Sequence, residues 1–278
     1  MPAQGRSMAE SHGVCRMSVV WLNGHIGEGR ANGAVGSAQW GAFTTAGCDQ
    51  GKPLLWPRHI RRLAESLVEL GADSAVSLPT DQDVCELLDA AGLDGPARVR
   101  VVARRIESSR WNIEASATSC DAVGPRVEPV RLTICRWASA PPLAGHKTLA
   151  RLAWDLARER AQQTGFDDAL LVDSADNLLE TSVANVWVLT DGAVRTPRAP
   201  DRCLPGVMRE WLLDNLGRAG HLAIVSELTL LDLVTANEVW LSNAVAGVRR
   251  VGEIDEQRWR EWPEFDRLDD LWIPAPGW

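Results

Sequence analysis

Apolar positions along this chain recur sometimes every second residue and sometimes every third or fourth, and the changes between these periods mark out its elements. Val19, Val20, Trp21 and Leu22 form an apolar run that stops at the turn pair Asn23-Gly24, and Ala42-Phe43-Thr44-Thr45 reads as a second short strand. A turn over residues 51–53 returns the chain to Leu54-Leu55. Then the period lengthens: Ile60, Leu63, Leu67 and Leu70 share one face of a helix that starts at Pro57 and stops at Gly71. Thr80 is placed to cap a second helix through Val84, Leu87 and Leu88, ending near Gly92. Residues 98–105, carrying Val99, Val101 and Val102, read as a strand, and so do residues 131–135. These elements predict a small N-terminal α+β domain over residues 18–137.

Pro141, Pro142 and Gly145 mark residues 138–145 as a linker, and residues 146–278 are expected to form a larger C-terminal α/β domain. In it, Leu149, Leu152, Ala153 and Leu156 make a helical stripe that runs out at Gln162-Gln163-Thr164-Gly165. Strands follow at 169–172, 178–180 and 185–189, and Asp191-Gly192 is a hairpin turn into residues 193–196. After Leu204-Pro205-Gly206 a helix runs to about Leu216, and strands at 224–225 and 239–241 flank a leucine-rich helix. The fold class is α/β in the wide sense, two α+β units, with no glycine-rich dinucleotide loop and no Walker sequence. Residues 1–17 are small and polar, lack the apolar run of a signal peptide, and are expected to be a disordered leader or an upstream start.

Composition sharpens this picture at four points. With 45% hydrophobic residues and 24% charged, the 278-residue chain can bury a substantial core. Its net charge of -8 argues against a broad nucleic-acid surface, and no apolar stretch approaches a membrane span. The expected partner is a small molecule. Six cysteines lie far apart with no paired or ligand-like spacing, which fits a reducing cytoplasm and predicts neither a disulfide framework nor a metal site. The chain has no tyrosine, and among 29 basic residues only Lys52 and Lys147 are lysines. Arginine cannot replace lysine in imine chemistry, because its guanidinium stays protonated. Lys52, in the turn Asp49-Gln50-Gly51-Lys52-Pro53, reads as a solvated charge.

Four places could carry chemistry. Lys147 follows Leu143-Ala144-Gly145-His146, where the linker meets a helix; desolvation there lowers an amine's pKa and frees it for covalent work, although a surface lysine would read the same way. Glu180 closes a strand, where a carboxylate could hold a pyridine nitrogen protonated or simply meet solvent. Leu204-Pro205-Gly206-Val207-Met208-Arg209 opens a helix whose free N–H groups suit a phosphate, and Arg62 offers it a planar, permanent cation.

Taken in order, His59-Ile60-x-Arg62-Leu63, Lys147, Gly165-Phe166-Asp167-Asp168-Ala169-Leu170-Leu171, Glu180 with Asn185, and Leu204 to Arg209 resemble the class IV aminotransferases. These are fold-type IV pyridoxal-phosphate enzymes, among them branched-chain and D-amino acid aminotransferases and 4-amino-4-deoxychorismate lyases. The resemblance covers about residues 18–255. It implies a small and a large domain with pyridoxal 5'-phosphate between them, and a homodimer. It makes Lys147 the lysine in imine linkage to the cofactor, Glu180 the partner of the pyridine nitrogen, and Arg62 a phosphate ligand. Val207, Met208, Ala244 and Val245 would supply phosphate-binding N–H groups.

Three segments are most similar to the lyase branch: Trp40-Gly41-Ala42-Phe43-Thr44-Thr45-Ala46, Pro142-Leu143-Ala144-Gly145-His146-Lys147, and Ser242-Asn243-Ala244-Val245. That likeness makes Thr45 and Asn243 substrate-side groups, with Thr45 a possible proton donor beside Lys147. Arg110 becomes the substrate's carboxylate clamp, with Arg104 and Arg105 as alternatives. The leading expectation is a lyase that converts 4-amino-4-deoxychorismate to 4-aminobenzoate and pyruvate. The runner-up is an aminotransferase acting on D- or branched-chain amino acids. A lyase for a modified chorismate-like ring, or a non-catalytic relative of the fold, comes behind these. Two departures from the family pattern stand out: Leu152 occupies the point where a tyrosine often meets the cofactor's 3-oxygen, and Ala150 replaces a common asparagine.

Overall fold

The computed structural model describes residues 18–29, 40–73, 76–107, 110–124, 128–268 and 271, so the leader expected at residues 1–17 lies outside the described residues. The first half of the chain is built on a sheet of six strands: β1 (Ser18–Leu22), β2 (His25–Gly29), β3 (Gly41–Asp49), β4 (Lys52–Pro53), β5 (Ala97–Arg105) and β6 (Trp111–Ser119). Their order across the sheet is β2-β1-β6-β5-β3-β4. Two helices, α1 (Trp56–Glu69) and α2 (Asp81–Ala90), cover one face. Leu63 and Leu67 of α1 and Leu87 and Leu88 of α2 are buried with Val99, Val101 and Ala46 of the sheet. Each leucine so buried contributes roughly 1.5–3 kcal/mol. Thr80 caps α2 as expected, in a reciprocal box with Asp83.

The strand expected at residues 131–135 does not join this sheet. It lies in β7 (Val130–Arg136), and belongs to a nine-stranded sheet with β8 (Asp168–Val172), β9 (Leu178–Thr181), β10 (Asn185–Thr190), β11 (Ala193–Thr196), β12 (Leu222–Val225), β13 (Glu238–Asn243), β14 (Gly247–Ile254) and β15 (Gln257–Arg258). β7 runs parallel to both β8 and β14, partners far away in sequence. Local apolar pattern shows that a strand forms; it does not show which sheet takes it. The helices of this half are α3 (Leu152–Gln163), α4 (Val207–Asn215), α5 (Leu230–Val234) and α6 (Pro263–Asp266).

The stripe expected at residues 149–156 also resolves differently. α3 starts only at Leu152, and residues 147–149 instead lie against β3: Phe43 N–H donates to the Lys147 carbonyl over 2.9 Å, and Leu149 N–H to the Gly41 carbonyl over 2.9 Å. Leu152 is 72% exposed and Leu156 39%, while Ala157 and Ala161 face the core. Small alanines let α3 approach β8 closely, which is where its packing lies.

One glycine fixes how the two sheets meet. Gly47 N–H donates to the Ala244 carbonyl over 3.1 Å, and a Cβ at Gly47 would sit 2.9 Å from that oxygen. Only the missing side chain permits so close an approach of β3 to the turn after β13.

Candidate active site

A cavity of about 480 Å³ opens between the two sheets. Side chains alternate across a strand, so one face of β3 and β5 looks into it: Phe43, Thr45, Arg98 and Arg100. Thr45 and Arg100 are direct cross-strand partners. The opposite face carries Thr44, fully buried toward α1.

Lys147 lines this cavity, its Nζ 4.9 Å from the centre of the Phe43 ring. It is held there by the short extended stretch against β3, five residues before the first residue of the helix it was expected to begin. Desolvation holds its amine well below the usual lysine range, and the Arg151 and Arg62 cations push it further down; Glu180 opposes them. The Nζ is therefore easier to deprotonate than an ordinary lysine amine, and the deprotonated amine is the nucleophile.

Glu180, the penultimate residue of β9, is 9% exposed. The Trp154 indole N–H donates to its Oε1 over 3.1 Å and the Leu204 N–H to its Oε2 over 3.1 Å. Burial raises the carboxyl's pKa, while these two donors and the Lys147 and Arg151 charges counter it. Such a carboxylate, fixed at both oxygens, can face one further cationic N–H group.

Arg62 reaches the cavity from α1. Its guanidinium donates to Thr44 Oγ1 over 3.2 Å and to the Pro205 carbonyl over 3.3 Å, and His59 Nδ1 lies 2.6 Å from the same hydroxyl. Burial and the Arg62 and Lys147 charges hold His59 well below its ordinary pKa, so it stays neutral. Across from Arg62, α4 begins after Gly206 with no side-chain cap. A Cβ on Gly206 would strike Asn185 Oδ1 at 2.0 Å, and Asn185 Nδ2 donates to the Leu204 carbonyl over 2.8 Å. The uncapped first turn, with Val207 at the cavity wall and the Met208 side chain buried in the core behind it, leaves free N–H groups beside a buried guanidinium. The Ser182 hydroxyl, also lining the cavity, is buried without a partner.

Asn243, Ala244 and Val245 line the opposite wall. Asn243 Oδ1 is already committed: it accepts from Val245 N–H over 3.0 Å and Ala246 N–H over 2.7 Å. The Val245 N–H expected for a phosphate is therefore paired within its own turn, and Asn243 has only its amide NH₂ to offer.

Arg110, the expected carboxylate clamp, is not at this cavity. Its side chain is 65% exposed and pairs with Glu107 over 2.8 Å. Of the alternatives, Arg105 lies against Trp40 and the Glu107 carbonyl, and Arg104 does not line the cavity. The cations that do line it are Arg62, Arg98, Arg100, Lys147, Arg151 and Arg158, against only Asp155 and Glu180. Sequence reading passed over Arg100, Arg151, Trp154 and Ser182. Arg151 could have been found from its position four residues after Lys147, and Arg100 from its alternation with Val99 and Val101; nothing local pointed to Trp154.

This donor set fits pyridoxal phosphate. A lysine amine of lowered pKa, a buried carboxylate, a buried arginine beside a bare helix N-terminus and a hydroxyl without a partner among the described residues meet in one cavity, and each matches one polar part of that molecule. Lys147 would hold its aldehyde carbon, Glu180 its pyridine nitrogen, and Arg62 with the first turn of α4 its phosphate.

Comparison with known proteins agrees. The amino-transferase class IV profile matches residues 41–254. The chain is 28% identical over 252 residues to an aminodeoxychorismate lyase of Vibrio harveyi, covering 84% of this chain and 90% of that one. It is 30% identical over 100 residues to branched-chain-amino-acid aminotransferase-like protein 1 of Arabidopsis thaliana, covering 36% of this chain and 18% of that one. Among solved structures, a branched-chain aminotransferase from Thermoproteus uzoniensis superposes with a TM-score of 0.81 at 19% identity, covering 92% and 94% of the two chains. This chain belongs to the class IV aminotransferases, the fold-type IV enzymes whose cofactor is pyridoxal 5'-phosphate.

Proposed function

We propose that this enzyme is a lyase that converts 4-amino-4-deoxychorismate into 4-aminobenzoate and pyruvate. The observation that carries this reading is that Thr45, Lys147 and Asn243, each from one of the three segments resembling the lyase branch, line one cavity. The match to the Vibrio harveyi lyase along 84% of the chain supports it.

The bound cofactor supplies an electron sink, through which a bond to the amine-bearing carbon can be broken heterolytically. Lys147, displaced by the substrate's amine, takes the proton from that carbon; its depressed pKa suits a base working near neutrality. Glu180 holds the pyridine nitrogen's proton in place. The C–O bond on the neighbouring ring carbon then breaks, its electron pair leaving with the enolpyruvyl oxygen, and the ring becomes aromatic. A proton delivered by Lys147 or Thr45 turns the leaving enol into pyruvate. Atoms balance with no oxidant and no second substrate. Asn243 NH₂ is placed to orient the substrate.

The same reading makes the protein a cytoplasmic homodimer. Leu152, Leu156 and Val183 leave apolar surface close to the cavity, which supports a subunit contact there. Among the described residues no helix is long and apolar enough to cross a membrane.

The test is an end-point assay of the cofactor-loaded protein with 4-amino-4-deoxychorismate and no oxo acid. Equal amounts of 4-aminobenzoate and pyruvate are expected. Turnover that appears only when an oxo acid is added, with amino-group transfer, would replace the lyase by an aminotransferase.

Lys147 also predicts a pH dependence. Only the neutral amine captures the cofactor's aldehyde, so the rate of reloading the stripped protein should rise with pH and level off once the amine's pKa is passed. Because that pKa is lowered, the plateau is expected well below the 10.5 of an ordinary lysine. Stopped-flow absorbance of the lysine-bound cofactor measures it, and a midpoint at or above the ordinary value would contradict the electrostatics of the site.

A further inference from the structure

We propose that Arg100 and Arg151, both against the Phe43 ring, form the clamp that binds the carboxylates of an anionic, dicarboxylate ring substrate; Arg110 does not line the cavity of its own chain. The proposal rests on the lyase reading for the identity of the ring, and on the geometry of the cavity for the clamp.

Three observations support it. First, the cations converge on one apolar plate. The Arg100 guanidinium lies 3.8 Å from the centre of the Phe43 ring and that of Arg151 6.0 Å from it, with Lys147 Nζ at 4.9 Å. A planar ring delivered to Lys147 would meet Phe43 and both guanidiniums.

Second, neither guanidinium has a salt-bridge partner among the described residues, although Glu180, Asp155 and Asp168 act on Arg151 through space. Arg100 pairs with no carboxylate among the described residues, and Arg151 donates to the Ser182 carbonyl, a neutral acceptor. Other guanidiniums of the protein have acidic partners: Arg58 has Asp214, Arg131 has Glu253 and Arg202 has Asp173. The acids nearest the pair are Asp155, which lines the cavity, and Glu180, whose oxygens are engaged by Trp154 and Leu204. Arg151 is also the charge that most depresses the Arg100 pKa, after desolvation, so each guanidinium sits in the repulsive field of the other. Leaving two like charges together in a cleft is unfavourable unless an anion joins them.

Third, the two are mounted on elements that already carry reacting groups. Arg100 faces Thr45 across the β3–β5 register, and Arg151 is four residues beyond Lys147 at the start of α3. Arginine rather than lysine suits the task, because its fork takes both oxygens of a carboxylate.

Binding is the measurement, so that turnover is not needed. The ligand is the 4-hydroxy analogue of the substrate, which keeps both carboxylates and has no amine to displace Lys147. Calorimetric titration of the cofactor-loaded wild type is compared with Arg100→Met, Arg151→Met, the two Arg→Lys variants and Arg110→Met. Each Met variant is expected to weaken binding by about 10-fold or more, each Lys variant by less, and Arg110→Met not at all. Bound cofactor content and far-UV circular dichroism, recorded without ligand, should be unchanged in all five, which also shows that they fold. Retained binding in both Met variants, or no binding by the wild type, overturns the clamp. Loss of bound cofactor from Arg151→Met would give that residue to the cofactor and overturn its half of the proposal. Loss of binding in the variants, with no lyase turnover by the wild type, would leave the clamp standing and remove the lyase reading.

Discussion

Lys147→Ala is expected to abolish turnover, with a loss of at least about 100- to 10,000-fold from proton transfer alone and a further loss from the missing covalent link. The site offers no substitute. The other lysine, Lys52, is exposed at the edge of the first sheet, and the cations around Lys147 are arginines, which stay protonated. Lys147→Arg should therefore be as inactive as the alanine variant, although it restores a long basic side chain. Cofactor binding should survive, because the phosphate's donors are elsewhere, at Arg62 and the first turn of α4. Equilibrium dialysis would find pyridoxal phosphate retained, and the visible absorbance of the lysine-bound form would be gone. Residual turnover within about tenfold of wild type would remove Lys147 from the chemistry.

The second large effect is expected at Glu180. Glu180→Gln keeps the shape and removes the charge, and it cannot accept from both Trp154 and Leu204 without turning its NH₂ toward one of their N–H groups. Removing the fixed charge that faces the pyridine nitrogen should cost about 100- to 1,000-fold in turnover, the scale seen for other preorganised electrostatic groups. A second readout separates this from simple damage. Glu180 raises the pKa of Lys147, so its loss should let the neighbouring cations depress that amine further, and the pH midpoint for cofactor capture should move down. Trp154→Phe removes one donor and keeps the carboxylate, so it should cost far less. Equal losses in the two variants, with no movement of the midpoint, would mean that Glu180 serves only to pack the site.

Several features of this protein were legible in the residues themselves. The helix at Trp56–Glu69 follows from the spacing of Ile60, Leu63 and Leu67, and the cap at Thr80 from a polar oxygen three residues before an aspartate. Both are local matters of period and hydrogen bonding. The family was legible too, because its motifs keep their order along the chain. Cys48 and Cys203 lie fully buried, and burial pushes both thiols up to about 12.

What the sequence left open depends on partners distant along the chain. The strand at Val130–Arg136 was visible, but only pairing with strands beginning at Asp168 and Gly247 put it in the larger sheet. Leu152 and Leu156 have the period of a buried stripe, yet close packing of α3 on β8 selected its alanines. Arg110 has the right chemistry for a carboxylate, and within its own chain it pairs with Glu107 at the surface, away from the cavity lining. Arg100 and Arg151 are unremarkable as text; they become neighbours because β3 brings Phe43 between β5 and the stretch leading into α3. By itself the sequence determined the elements and the cofactor-binding motifs, since local period and motif order need no long-range contact. The tertiary structure decided which charges share the low-dielectric cleft, because electrostatic coupling falls with distance through space rather than along the chain.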